Sequence, residues 1–525
     1  MLINSLLFTL VALASLTAAG FSKRYRKLIL TAIFINLTCV LIYLFVDHYS
    51  HAGVNYATLE HLVPLLTPAT VVQFWPSILL FLGSLITISI TLKIISRAIV
   101  SGNITASRFT SKLACFSAPV FIVVAYLANP LFHDSYELYK GISQDKELDP
   151  LPNGFDDITK LAPTIEYTAP EQKKNFIIIL AESFNGSFTD ANLYPGLTPG
   201  ITQLIDERGT QFTGIKELRL SDWTISGLVA LFCGVSMYPD ITETKVSEEE
   251  KDSAFVQRRM AAANIIGESC IGDVLAQDGY ELSFTGGSEF GIVGKTRLFE
   301  SQGINKLYLT NEIAQASTEE LPRSSWGIYD DDLFNFSEKL LSKEQSLPFG
   351  FVTLTVDTHE PYQISPTCNN KTYGEGEQEI LNAIHCSDKL ISNFINTILN
   401  SPKHQDTTII LLSDHLYRGV LQDSPIPRRE IDYLFAVFNH ELRLQGQKTI
   451  HREATPYDIG PTILGLLGYN INTFNFGRNL LNEEPTLAES LTWPQVYEYV
   501  IYIRHKMRDY WLENFEQEKG TATNN

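Results

Sequence analysis

The chain has 525 residues, too many for one ordinary domain, and 45% of them are hydrophobic. Its formal net charge of −19, from 40 Lys and Arg against 59 Asp and Glu, argues against nucleic acid, whose phosphates need clustered cations. An anionic substrate would need a local cation, because the overall field opposes it.

Four long apolar stretches open the chain, at about Leu2–Ala19, Leu28–Val46, Phe74–Ile95 and Leu113–Phe132. Each is close to the ~20 residues that cross a bilayer. Their interiors hold no Asp, Glu or Arg, and Lys93 lies near an end where its ammonium can reach water. The first leaves through small residues, as a signal peptide would, but leads straight into a second span and is expected to be retained. Lys23, Arg24, Arg26 and Lys27 crowd the first loop, and Lys93, Arg97, Arg108 and Lys112 crowd the third, whereas the second, Asp47 to Gln73, has neither Lys nor Arg. The first and third loops are therefore expected in the cytoplasm, and everything after Phe132 outside. The second loop, DHYSHAGVNYATLEHL, reads either as a surface that guides lipid or as a plain interfacial loop.

Cys39 and Cys115 lie in apolar segments and read as small packing residues. Cys233, Cys270, Cys368 and Cys386 lie in the polar part and allow three pairings. Cys233–Cys270 and Cys368–Cys386 are favoured, because each joins sequence neighbours across a short connection. Disulfides would place this part outside the cytosol, in agreement with the loop charges.

Residues 134–173 mix prolines, glycines and acidic residues and read as a linker after a four-helix transmembrane domain, 1–133. From Lys174 to about residue 490, short apolar runs alternate with amphipathic segments, which predicts an α/β domain. Expected strands are Phe176–Leu180, Tyr280–Phe284, Phe349–Val356, Thr407–Leu412 and Tyr433–Phe438. Expected helices are Thr198–Glu207, Ser226–Cys233, Ile271–Gln277, Glu377–Leu399 and Tyr457–Leu467. Residues 491–525 are expected to form an amphipathic helix followed by a disordered tail, GTATNN.

The first of these strands lies in KNFIIILAESFN, 174–185, a continuous β-branched run suited to a strand buried on both faces of a parallel sheet. It ends on Glu182. The third ends at Asp357–Thr358–His359–Glu360–Pro361, and the fourth at Ser413–Asp414–His415. In a mostly parallel sheet these ends meet on one edge, where ligands bind in open α/β folds. Two carboxylates and an imidazole there suit a divalent metal such as Mn²⁺ or Zn²⁺. Glu182 also reads as a helix cap, and Asp414–His415 as a structural hydrogen bond. Thr224, in SDWTISGLVALFCG, precedes an amphipathic run and reads either as an N-cap or as a nucleophile. A threonine hydroxyl attacks phosphorus only when activated; a metal on that oxygen lowers its pKa, and a helix N-terminus offers N–H donors to phosphate.

The segments TPGITQLIDERG, SDWTISGLVALFCG, GKTRLFESQGI, SSWGIYDD, FVTLTVDTHEP, TCN, IHCSDKLISNFI and LLSDHL occur in an order and nearly at a spacing that resembles the phosphoglycerol transferase I family. These are membrane enzymes of the alkaline phosphatase/sulfatase superfamily, akin to lipoteichoic acid synthase. The resemblance covers most of 174–480 and extends to GVNYATLEHL in the second loop. It implies a sulfatase-like catalytic domain. It implies Glu182, Asp414, His415 and Thr224 as metal ligands, with manganese preferred and zinc or magnesium possible. It also implies Thr224 as nucleophile, His359 at the phosphate or leaving group, and Lys295 as the local cation. Trp326 falls in a shared motif and reads equally as substrate contact or as core. The four cysteines match those of the relatives, in support of the favoured pairing.

The implied donor is phosphatidylglycerol and the implied acceptor a periplasmic glucan, at the bacterial inner membrane. Phosphoethanolamine transfer onto lipid A or glycan, and a non-catalytic receptor or scaffold, are the alternatives. The sequence departs from the wider family in reading SDHL where lipoteichoic acid synthase has SDHG, in lacking C-x-P-x-R, and in ending soon after the catalytic domain. The second disfavours sulfate-ester hydrolysis, and the third puts the acceptor in doubt.

Overall fold

The computed structural model describes residues 2–18, 23–50, 75–100, 108–143, 165–218, 221–236, 269–288, 295–343, 345, 347–368, 372–376, 378–419, 421, 426–427, 430–500 and 502. The chain divides into two compact units, residues 1–147 with 418–421, and residues 148–417 with 422–525. Of the expected second loop, Asp47 to Ser50 complete the helix Lys23–Ser50, and the rest, including GVNYATLEHL, lies outside the described residues.

In the first unit, helices Leu2–Ala18, Lys23–Ser50, Trp75–Val100 and Arg108–Leu127 occupy the four apolar stretches. Tyr25–Asp47 and Ile78–Arg97 are long and apolar enough to cross a membrane, while Leu2–Ser15 and Ser117–Leu127 are shorter apolar helices among the described residues. Ala12, Ile29, Ile33, Leu92 and Ala118 form the buried centre. Beside it runs a chain of polar groups: Asn129 Nδ2 donates to Asn36 Oδ1 (2.9 Å), Asn36 Nδ2 to Thr9 Oγ1 (2.9 Å), and Ser5 Oγ to the Ala125 carbonyl (2.9 Å). In an apolar bundle such groups must satisfy one another. The stretch expected as a linker from residue 134 begins as part of a helix, Pro130–Ser143.

The second unit is built on an eight-stranded sheet: β1 (Asn175–Ala181), β2 (Gly209–Ile215), β3 (Glu281–Gly286), β4 (Lys306–Tyr308), β5 (Phe349–Leu354), β6 (Thr407–Ser413), β7 (Phe435–Phe438) and β8 (Thr449–Ala454). The order across the sheet is β4-β3-β5-β1-β6-β7-β2-β8. Every pairing is parallel except those of β7 with β6 and β2, so the sheet is mostly parallel, as expected. β5 and β6 are buried along their whole length and β1 from Phe176 onward, which is why their sequences are continuously apolar rather than alternating. Helices Thr224–Cys233, Ile271–Gln277 and Glu379–Leu399 lie close to where the sequence predicts them. The last buries Ile380, Ile384, Ile391, Phe394, Ile395 and Ile398, a stripe at helical spacing. Cys233–Cys270 and Cys368–Cys386 are both bonded. Residues 493–500 are helical, and the rest of the expected terminal helix lies outside the described residues apart from Tyr502.

A candidate metal centre with a threonine at its edge

The register fixes where the strand ends meet. Ala181 pairs with Ser413, and Leu180 with Leu412 on one side and Leu354 on the other. Glu182 and Asp414, the next residues along, therefore stand at one level on the carboxyl edge of the central strands, and Thr355, which follows Leu354, stands one residue below them beside Ala181. Thr355 Oγ1 accepts the Glu182 N–H (2.9 Å), and Thr358 Oγ1 donates to the Glu182 carbonyl (2.6 Å), so the end of β5 grips the end of β1. Ser183 then turns the chain with a positive φ of 53°. That turn sends its N–H to Asp414 Oδ1 (2.9 Å) and its hydroxyl to Glu182 Oε1 (2.9 Å).

One carboxylate or imidazole donor atom from each of Glu182, Asp414 and His415 lies within 4.8 Å of the others. All three residues are buried. His415 Nδ1 bonds the Leu416 carbonyl (2.9 Å); a carbonyl only accepts, so Nδ1 carries the proton. His415 Nε2 then faces Glu182 Oε1 at 3.2 Å and Asp414 Oδ2 at 3.6 Å. This backbone anchoring of the far ring nitrogen is the usual support for a metal-binding imidazole. Asp414 Oδ2 is buried without a hydrogen-bond partner. Burial first, and then the Glu182 charge, push the Asp414 carboxyl above its ordinary range, with His415 pulling the other way. Burial works against a His415 cation, but Asp414 and Glu182 outweigh it and raise the imidazole. Two buried carboxylates, an orphaned carboxylate oxygen and an anchored imidazole form a donor set that fits a divalent cation.

Thr224 is the first residue of its helix, with Trp223 in the N-cap position. The capping contact is made by Ser226, whose Oγ accepts the Trp223 N–H (3.4 Å) while its hydroxyl donates to the Trp223 carbonyl (2.9 Å). Thr224 is therefore not the capping side chain, the competing reading of its position in the sequence. Its hydroxyl donates instead to Glu182 Oε2 (3.3 Å). Gly227, one turn on, makes this approach possible: a Cβ there would overlap the Asp414 carbonyl oxygen. The helix C-terminus is held in turn by the Cys233–Cys270 bond.

The remaining sequence-predicted residues divide into two groups. His359 and Trp326 meet, with ring centroids 4.3 Å apart, and the Trp326 indole N–H donates to the Glu360 carbonyl (3.0 Å). His359 Nδ1 bonds the same carbonyl (2.9 Å) and so carries its proton there. Lys295 opens the helix Lys295–Ser301, and its side chain lies outside the described residues. Sequence reasoning missed the supporting residues Ser183, Gly227, Thr355 and Thr358. Only Gly227 left a usable signal, as a glycine inside an otherwise helical apolar run.

Residues 174–469 match the sulfatase family model, and residues 1–146 match that of the phosphoglycerol transferase I N-terminal domain. Phosphoglycerol transferase I of Xanthomonas campestris pv. campestris is 30% identical over 458 residues, covering 84% of this chain and 60% of that protein. Phosphoglycerol transferase I of Escherichia coli is 31% identical over 361 residues, covering 68% of this chain and 44% of that protein. The chain thus spans 44% to 60% of the length of these relatives. Among solved structures, an alkaline phosphatase superfamily protein of Vibrio parahaemolyticus aligns with a TM-score of 0.49 and 23% identity, over 67% of this chain and 78% of that one. With more than half of its length matched by that first model, the chain belongs to the sulfatase family.

Proposed function

We propose that this chain is a membrane-anchored phosphoglycerol transferase, moving the glycerophosphate headgroup of phosphatidylglycerol to a hydroxyl of a periplasmic glucan at the bacterial inner membrane. Residues 1–133 serve as the anchor and 174–490 as the catalytic domain. The observation that carries this reading is the Thr224 hydroxyl, 3.3 Å from Glu182 beside the buried Asp414–His415 pair and at a helix N-terminus. The name borne by the relatives, phosphoglycerol transferase I, supports the choice of transferred group.

In the first half-reaction Thr224 Oγ forms a bond to the phosphorus and the bond from phosphorus to the diacylglycerol oxygen breaks. The Thr224 proton leaves along its hydrogen bond to Glu182, and diacylglycerol departs as the alcohol and stays in the bilayer. In the second, a glucan hydroxyl bonds to the phosphorus, the bond to Thr224 breaks, and Thr224 recovers a proton. The kinetics are ping-pong. His359 exchanges the proton of the leaving and entering oxygens, Lys295 offsets phosphate charge, and Trp326 flanks the headgroup. N–H groups of the Thr224 helix receive a phosphoryl oxygen. Glu182, Asp414, His415 and Thr224 would hold manganese, with zinc or magnesium as alternatives, and such an ion would lower the hydroxyl pKa and offset phosphoryl charge. The anchor confines the search for lipid to two dimensions.

Incubation with headgroup-labelled phosphatidylglycerol tests this. Label is expected on Thr224 and then on glucan, with an added mass of glycerophosphate on the protein. A phosphoethanolamine adduct instead would reassign the donor, and undiminished turnover by Thr224→Ala would remove the nucleophile.

A further inference from the structure

The segment that carries Trp326 grips the segment that carries His359 at three points. The Trp326 indole N–H bonds the Glu360 carbonyl. Asp330 accepts the backbone N–H groups of Val356 (2.8 Å) and Asp357 (3.1 Å), one on each oxygen. Asp331 Oδ2 accepts the Thr367 N–H (3.1 Å). In return, Asp357 Oδ2 accepts the Asp330 N–H (3.2 Å) and the Ser365 hydroxyl. Two carboxyl groups are thus each bound to the other's backbone, and they are only 0% and 2% exposed. Asp357 Oδ1 is buried with no hydrogen-bond partner. A buried carboxylate oxygen with no donor is costly because its charge is unsolvated, and a proton on the carboxyl removes that charge.

We propose that Asp330 and Asp357 are positioning residues for His359: a carboxyl pair that retains one proton and thereby fixes the turn after β5 from which His359 projects. The role assumes that His359 acts at the substrate as proposed above; the proton on the pair does not. Burial pushes both carboxyls up, and the Asp357 charge adds to the effect on Asp330. The other charged or titratable groups facing the pair are Asp331 and Asp332 from the helix Asp330–Ser342, and the Tyr329 phenol just before it. The two aspartates oppose a second ionisation. The Ser365 hydroxyl favours the ionised form of Asp357 but reaches only Oδ2.

Two readouts on the full-length protein separate the pair from the transferase reading. In difference infrared spectra at about pH 5, above the unfolded carboxyl's range and below that of folded Asp357, wild type is expected to show a protonated-carboxyl band that Asp357→Asn lacks. Hydrogen exchange over the β5 exit should accelerate at alkaline pH in wild type more than in that variant. Identical spectra would overturn the retained proton, whatever group the protein transfers. For headgroup release, Asp330→Ala should lower kcat about 100-fold with KM changed less than about threefold, because misplacement rather than lost binding is at issue. Asp330→Asn, which keeps one accepting oxygen, should recover part of that loss, and it decides the matter if Asp330→Ala does not fold. Wild-type kcat in the variant that folds would overturn the positioning role. A wild type that releases no headgroup would sink the transferase reading, while the spectra still decide the pair.

Discussion

Thr224 Oγ1 donates to Glu182 Oε2 at 3.3 Å although 42 residues separate them, one opening a helix and the other following a central strand. A threonine that only began a helix would have no need of a buried carboxylate. Replacing Thr224 with Ala should therefore lower headgroup release at least ~1000-fold, as for removal of a nucleophile. Stability should change by only ~1.5–3 kcal/mol, the range for a hydrogen bond to a charged group. Thr224→Ser keeps the hydroxyl and should keep part of the turnover. Intact-mass measurement checks the adduct, and a thermal melt checks the fold.

A second expectation concerns metal. Glu182, Asp414 and His415 crowd charge into a buried site, so a bound divalent cation should stabilise the fold. At a free ion concentration 100 times its dissociation constant, the gain should be about 2.7 kcal/mol. Chelation should lower the melting temperature, and added Mn²⁺ should restore it. Asp414→Asn should abolish stoichiometric metal in dialysed protein, measured by elemental analysis. Equimolar metal in that variant would remove Asp414 from the ligand set.

The three central strands were legible because burial on both faces leaves continuous apolar runs, as in Phe176–Leu180, and their polar ends marked Glu182 and Asp414–His415. Three strands nearer the sheet margins were not. β2 reads GTQFTGI, with polar residues the sheet tolerates, β4 has only three residues, and β8 is partly exposed. Of the candidate site, Glu182, Asp414 and His415 could be read because each follows a recognisable apolar strand, and a mostly parallel sheet brings those ends to one edge. Ser183, Thr355 and Thr358 could not, since their part depends on a backbone turn and on strand register. Trp326, left open between core and site, packs on the His359 ring and is partly buried.

Gly227 gives a third test, because only a hydrogen at its Cα lets the Thr224 helix rest on the Asp414 carbonyl. A methyl there meets backbone, which cannot rotate away, so the helix must withdraw. Gly227→Ala should destabilise the catalytic unit by ~1–3 kcal/mol, the range for overpacking. It should also lower kcat by about 100-fold, as expected for a nucleophile displaced by roughly 1 Å. Metal content should fall much less than kcat, since three of the four proposed ligands, Glu182, Asp414 and His415, lie on other elements and only Thr224 moves with the helix. Denaturant unfolding and elemental analysis of one preparation would separate displacement of Thr224 from collapse of the site. Wild-type kcat in this variant would mean that the close approach is not needed for turnover.

The buried carboxyl of Asp357 makes a fourth expectation, for stability against pH. Burial raises it to about 7; its hydrogen bonds to Ser365 and the Asp330 amide work in the opposite direction, and the Asp331 and Asp332 charges add to the rise. In the unfolded chain the same carboxyl titrates near ~3.9. Between those values the folded protein holds a proton that the unfolded chain has lost. The stabilisation is therefore complete below the unfolded value and fades as pH rises to about 7. Its slope within that window is about 1.4 kcal/mol per pH unit. Asp357→Asn carries no such proton, so the stability of wild type minus that of the variant should fall from pH 4 to 7 and then level off. Urea unfolding of metal-loaded protein across that range measures the difference. A difference that stays constant would mean that Asp357 is ionised throughout, and that its Oδ1 finds a donor other than a proton.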